Sequence, residues 1–267
     1  MLITYFIICS AALFASILTL VAGFGLGTLL MPVFAIFFPL EVAIAATAIV
    51  HFINNITKLI LVGKFTKWSV LGPFLLGAIP AALLGAFLLH VLGSADVLHQ
   101  YSIGSVTGRI TLVKIAVGAA LIGFAAIEFW PRFDKLAFER KWLAVGGAIS
   151  GFFGGLTGMQ GALRAAFLVR CGLTKRELVG TGSTASAFID ATRLLFYFIA
   201  AWSARNEAFD LGEGRVGVII AASLTACAGS ILGAQLIEKV TFAAVKVTVA
   251  CCLAIVGLLL IAGLTGA

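Results

Sequence analysis

The sequence predicts an all-α polytopic membrane protein made of two inverted-topology repeats of about five helical pieces each. Three observations carry this: long stretches without charge, basic residues confined to a few short loops, and self-similarity at a near-constant offset. Of 267 residues, 62% are hydrophobic and 11% charged, against about 25% charged in a soluble domain. Asp, Glu, Lys and Arg are absent from 1–40, 42–57, 68–95 and 247–267, and a single crossing takes about 20 apolar residues. A membrane β-barrel would need strands of about 9 to 11 residues with alternating polarity. These runs are continuously apolar, so they read as helices.

Breaks at Gly, Pro and charge divide the chain into ten pieces, at about 2–22, 24–38, 41–62, 69–92, 110–130, 142–157, 160–171, 175–202, 214–237 and 243–264. The second and seventh hold about 15 and 12 residues, too few at about 1.5 Å each to cross a core of about 30 Å. Each follows a glycine-rich break, Gly23-Phe24-Gly25-Leu26-Gly27 in one case and Gly154-Gly155-Leu156-Thr157-Gly158 in the other. Short broken or re-entrant helices are therefore expected near 24–38 and 160–171.

The net charge of +7 is a topology signal and not a nucleic-acid footprint, because the basic residues sit between apolar runs. Lys64 and Lys67, then Arg132, Lys135, Arg140 and Lys141, then Arg170, Lys175 and Arg176, then Lys239 and Lys246 mark four cytoplasmic sites. The 93–108 loop carries only Asp96 as a formal charge, and 203–214 is net acidic through Glu207, Asp210 and Glu213. An even number of pieces separates the basic sites, which places both termini outside the cytoplasm of a multi-pass protein of the cell inner membrane. The first 20 residues lack Lys and Arg, so the N-terminus reads as a mature helix and not a signal peptide. Cys9, Cys171, Cys227, Cys251 and Cys252 lie in or beside apolar runs without metal-ligand spacing. They read as packing residues, and no metal or cofactor is expected. A homodimer is compatible with the sequence.

At an offset of 135, Gly23 pairs with Gly158, Asn55 with Asp190, Thr57 with Thr192, Lys58 with Arg193 and Leu59 with Leu194. Leu84-Gly85-Ala86 matches Leu232-Gly233-Ala234, and Val113-Lys114-Ile115 matches Val245-Lys246-Val247, the offset changing only across predicted loops. These matches divide the chain into a first half at 1–130, a cytoplasmic linker at 131–141 and a second half at 142–267. With five pieces per half, the second half starts on the opposite side of the membrane. Such repeats place substrate near the midplane, at the interface between them.

Ionisable groups within spans cost about 2.5 to 3.5 kcal/mol on insertion scales and so face the bundle interior. Asp190 and Arg193 lie three residues apart on one helical face, where they can pair. Two roles fit them: a structural ion pair, or an anion ligand (Arg193) with a carboxylate that orients the anion or takes a proton (Asp190). Asn54, Asn55 and Lys58 form a polar group in an apolar helix. The amides suit a substrate cavity, and Lys58 suits either a site or snorkelling to the interface. His51 either titrates near neutral pH or is a hydrogen-bonded core residue.

Gly25, Gly27, Gln160 and Gly161 begin the short pieces, where unpaired N–H groups favour anions, although glycine also serves close packing. Arg164 lies on a short apolar piece opposite Leu29 in the repeat alignment, which ranks it beside Arg193 as an anion ligand. Thr181, Ser183, Thr184 and Ser186 can offer hydroxyls to a substrate or bond back to their own helix.

Ala22-Gly23-Phe24-Gly25-Leu26-Gly27 running on to Pro32, and Gly154-Gly155-Leu156-Thr157-Gly158 followed by Gly161, resemble the sulfite exporter TauE/SafE family. The resemblance covers nearly the whole chain. It implies transport of small sulfur-containing anions such as sulfite, sulfoacetate, other sulfonates or thiosulfate, with proton coupling as an option. The second glycine segment departs from the pattern, continuing as Met159-Gln160 and Ala162-Leu163-Arg164.

An intramembrane enzyme is disfavoured, because Asp190 has no carboxylate partner at depth and neither H-E-x-x-H nor C-x-x-C occurs. A membrane scaffold would not require an inverted repeat with buried charge. Transport of a carboxylate is compatible with the same donors, whereas cation transport is opposed by arginines outnumbering carboxylates at the midplane.

Overall fold

The computed structural model describes residues 2–22, 26–104, 106–130, 136–204, 215–236 and 243–265. Ten α-helices appear among them: α1 (Leu2–Ala22), α2 (Leu26–Phe37), α3 (Leu40–Val62), α4 (Trp68–Gly93), α5 (Leu112–Phe129), α6 (Leu143–Thr157), α7 (Gly161–Leu168), α8 (Lys175–Ala204), α9 (Arg215–Leu236) and α10 (Ala243–Ile261). Six of them, α1, α3, α4, α5, α8 and α9, contain segments long and apolar enough to cross a membrane. With 12 and 8 residues, α2 and α7 extend about 18 and 12 Å and do not cross alone. Basic Arg132, Lys135 and Lys239 and acidic Glu207, Asp210 and Glu213 lie outside the described residues.

The fold is inside-out relative to a soluble protein. Ile60 is 81% exposed, whereas Lys58, two residues earlier, is 1% exposed. Leu2, Phe6, Leu76, Phe198 and Trp202 are also exposed, while Asn54, Asn55, Asp190 and Arg193 are buried. Lipid accepts the apolar surface at no cost, and the polar side chains are satisfied only by turning inward.

The stretch before α5 departs from the sequence expectation of a loop over 93–108 followed by a helix from about 110. Val97–Ile103 (β1) and Val106–Thr111 (β2) pair as an antiparallel hairpin. Its strands are rich in Val, Ile, Thr and Tyr, which suit a pleated surface, and Gly104 at the tip takes a φ of 61°, a left-handed conformation that glycine adopts without strain. Helix α5 begins only after Thr111, whose hydroxyl accepts from the Lys114 N–H at 3.3 Å. The hairpin is fastened to the end of α10, with Arg109 N–H donating to Gly263 O at 3.0 Å and the Tyr101 hydroxyl donating to Ala262 O.

The helix contacts repeat under a shift of five helices. Helix α4 packs on α6 and α8, and α9 packs on α1 and α3. Likewise α2 meets α1 and α3, and α7 meets α6 and α8, while α3 packs on α8 and α5 on α10. Moving five helices along the chain converts α4–α6, α4–α8, α2–α1 and α2–α3 into α9–α1, α9–α3, α7–α6 and α7–α8, and maps α3–α8 and α5–α10 onto themselves.

The α4–α6 contact depends on small residues at four-residue spacing. A Cβ on Gly147, Gly151 or Gly155 of α6 would fall on the carbonyl of Phe74, Ala78 or Ala82 of α4. In return, Gly77 and Gly85 of α4 lie against the carbonyls of Ala144 and Phe152. Missing side chains let the two backbones touch, and in lipid close packing replaces the hydrophobic effect as the force holding helices together.

Candidate functional site

The polar centre forms where α3, α7 and α8 converge. Along α8, Ser183, Ser186, Asp190, Arg193 and Tyr197 recur at alternating intervals of three and four residues, which sets them on one face. Facing them on α3 are His51, Asn55 and Lys58, and α7 contributes Gln160, immediately before its first turn, and Arg164.

Asp190 is fully buried and shared among four partners. His51 Nδ1 lies 2.5 Å from its Oδ2, and the Asn55 amide donates to the same oxygen at 2.8 Å. Arg193 donates to Oδ1 through Nε at 3.0 Å, with Nη2 at 2.8 Å. Gln160 Nε2 reaches Oδ1 at 3.4 Å. Asn55 and Asp190, mated by the 135-residue offset, are therefore in direct contact.

Arg193 lies over the glycine break before α7. Gly158 has a φ of 81°, and a Cβ there would stand 2.8 Å from Arg193 Nη1. Glycine is needed at this position twice over, for its backbone and for the space it leaves. Nη1 meets no hydrogen-bond acceptor among the described residues. Tyr197, one turn on, donates to Gly155 O at 3.0 Å and borders the Arg193 guanidinium electrostatically.

The other end of the cluster holds Arg164 and Lys58, 4% and 1% exposed. Arg164 Nη1 donates to the Ser186 hydroxyl at 2.5 Å, and its Nε lies beside Gly182, where a Cβ would come within 3.3 Å. An ammonium only donates, so the Asn54 amide presents its oxygen to Lys58 Nζ, at 3.1 Å. Its nitrogen then donates to Ala226 O and Ser230 Oγ of α9 at 2.9 and 2.6 Å. Ser186 and Arg193 are separated by about 10 Å along α8, so the cations occupy two ends with Asp190 between them. Among the described residues Asp190 is the one buried carboxylate; Lys58, Arg164, Arg193 and His51 share its centre, and Lys114 is buried apart from it, in the first turn of α5.

The structure thus brings together His51, Asn55, Lys58, Gln160, Arg164, Asp190 and Arg193. Gly161 is buried as the first residue of α7, and Ser183 lies on the α8 stripe one turn before Ser186. Thr181 points elsewhere: its hydroxyl accepts from Lys67 N–H at 3.0 Å and, with the Thr66–Thr184 contact at 2.7 Å, ties α8 to the α3–α4 turn. Asn54 ties α3 to α9. Gly25 lies outside the described residues. Sequence reasoning passed over Tyr197, although its spacing from Asp190 and Arg193 puts it on their face. It also passed over Ser150, whose hydroxyl donates to Gln160 O at 2.9 Å and which carries no signal beyond its own small size.

Apolar outside, polar and cation-rich at a centre flanked by a short helix, the molecule has the build of a membrane transporter. It belongs to the sulfite exporter TauE/SafE family, whose sequence profile matches residues 8–260, nearly the whole chain. That family consists of membrane transporters and not enzymes. Comparison with curated proteins and with solved structures returns no match.

Proposed function

We propose that this protein carries small sulfur-containing anions, sulfite or organic sulfonates, across the inner membrane by alternating access, with the anion held between α3, α7 and α8. The observation that carries this reading is the excess of buried cations, Lys58, Arg164 and Arg193 against Asp190. Charged donors gathered at one buried centre bind an anion strongly, because hydrogen bonds from ionised groups are stronger than neutral ones, and a transported anion can be held there. The N-terminus of α7, at Gly161, whose cap residue Gln160 makes no side-chain cap hydrogen bond, adds a favourable dipole.

Two repeat halves, 1–130 and 142–267, account for the helix pairing and supply two exchangeable arrangements around the Asn55–Asp190 contact. The basic loops at 64–67 and 170–176 then face the cytoplasm, with both termini on the other side. Arg193→Ala is expected to reduce anion uptake into proteoliposomes by about two orders of magnitude, the scale of one lost charge-assisted contact. Uptake equal to wild type from an equally folded variant would remove Arg193 from the site.

Proton coupling runs through His51, whose Nδ1 shares the Asp190 carboxylate with Asn55. An imidazole titrates in the range where cells maintain pH gradients. For His51→Gln the expected result is loss of acceleration by an imposed pH gradient, with exchange at equal pH reduced less. A variant still driven by the gradient would assign the proton to another group.

A further inference from the structure

We infer that Ser150 of α6 is a positioning residue for anion binding, holding the Gln160 carbonyl and thereby aiming the α7 arm of the site. This rests on the anion-transport reading above and adds to it a residue that acts through another.

Helix α7 has eight residues, and helices shorter than about 12 to 15 residues do not hold their shape alone. Its direction is therefore set from outside, at the break that precedes it. There Gly158 has a φ of 81°, and Gln160, with φ −120° and ψ −18°, makes no side-chain cap hydrogen bond. The Gln160 carbonyl accepts from the Arg164 N–H at 3.1 Å, the first bond of α7, and from the Ser150 hydroxyl at 2.9 Å. A carbonyl oxygen has two lone pairs, so these two donors fix the plane of the peptide from which α7 starts. The side chains on either side of that peptide belong to the site. Gln160 Nε2 reaches Asp190 Oδ1 at 3.4 Å, and Arg164, one turn on, donates to Ser186 at 2.5 Å. A tilt of the peptide would swing both at once.

The bond that Ser150 makes is not the usual one for a hydroxyl within a helix. Thr19, Thr47, Thr157, Thr184 and Ser223 each donate to the carbonyl four residues earlier, the back-bonding such side chains favour. Ser150, fully buried, donates instead to a carbonyl ten residues on. It lies between Gly146 and Gly154 at four-residue spacing. A Cβ on Gly146 would fall on the Phe167 ring of α7, and one on Gly154 would come within 3.2 Å of Gln160 Cβ. This stripe faces α7 and the break, while Gly147, Gly151 and Gly155 rest on α4 carbonyls. Seated backbone to backbone on α4, α6 is a rigid base from which Ser150 reaches the break.

Two measurements test the assignment: sulfite uptake into proteoliposomes containing the full chain, and melting in detergent at increasing sulfite. In Ser150→Ala the half-saturating sulfite concentration is expected to rise about five- to tenfold in both, the scale of one hydrogen bond. The maximal rate and the melting temperature without sulfite should stay close to wild type, and Ser150→Thr, which keeps the hydroxyl, should restore the half-saturating concentration. An unchanged half-saturating concentration in folded Ser150→Ala would overturn the inference, as would a folded Ser150→Thr protein no better than the alanine variant. If Ser150→Thr does not fold, the alanine result decides alone. If Ser150→Ala does not fold, Ser150→Cys, close in volume and a weak donor, is read in the same way, and failure of both to fold makes the bond one of structure alone and defeats the inference. Saturable sulfite uptake with an unaltered constant in the variants defeats only the role of Ser150, whereas absence of saturable uptake by the wild type defeats the transport reading as well.

Discussion

Asp190→Ala is expected to abolish anion flux and to lower the stability of the folded protein by about 3 to 5 kcal/mol, the cost of breaking a buried ion pair from one side. The size follows from the number of groups that share the carboxylate. Its removal strands the Arg193 guanidinium, the Asn55 amide and the His51 ring in a centre from which solvent is excluded. Asp190→Asn retains the shape and one acceptor oxygen, so it should recover part of the stability and little of the transport. Melting in detergent and flux in proteoliposomes separate the two effects. An alanine variant that melts and transports like wild type would show that Asp190 does not organise this centre.

Gly151→Leu is expected to prevent recovery of folded protein. A Cβ at this position falls on the Ala78 backbone carbonyl, and backbone cannot step aside as a flexible side chain can. Relief requires the α4–α6 pair to separate along its length, which undoes the neighbouring contacts of Gly147 and Gly155 as well. Overpacking typically costs about 1 to 3 kcal/mol at one site. Here the loss exceeds that range because the contacts share one rigid interface. Gly72→Leu, on α4 itself, is the matched control, since a Cβ there meets nothing within 4 Å. Size-exclusion profiles in detergent provide the comparison, and equal monodisperse yields of the two variants would contradict the packing account.

The helices were legible because uninterrupted apolar runs, bounded by Gly, Pro or charge, have one physical solution in lipid. Their observed ends fall within a few residues of the expected ones, and both short helices follow the glycine breaks that announced them. The hairpin at 97–111 was hidden for the converse reason. Outside the bilayer, a short polar stretch with some β-branched residues is compatible with loop or strand, and the contacts with Ala262 and Gly263 that hold it come from the other end of the chain.

Within the centre, Asp190 and Arg193 were visible through helical spacing, and Asn55 through its pairing with Asp190 at a fixed offset. What spacing leaves open is which neighbour a side chain meets. Asn54 and Asn55 are adjacent yet point about 100° apart on the helix, so one amide joins α9 and the other the carboxylate. Thr181 and Ser186 are equally plausible hydroxyls by sequence, but only Ser186 receives the Arg164 guanidinium.

Counterflow measures the central claim directly. Vesicles containing the purified protein and loaded with unlabelled sulfite should transiently accumulate labelled sulfite or sulfonate from outside, saturably, while Arg164→Gln vesicles should show little accumulation. If no anion among sulfite, sulfonates and acetate exchanges saturably through the wild-type protein, the buried cations serve the fold and not transport, and the account fails.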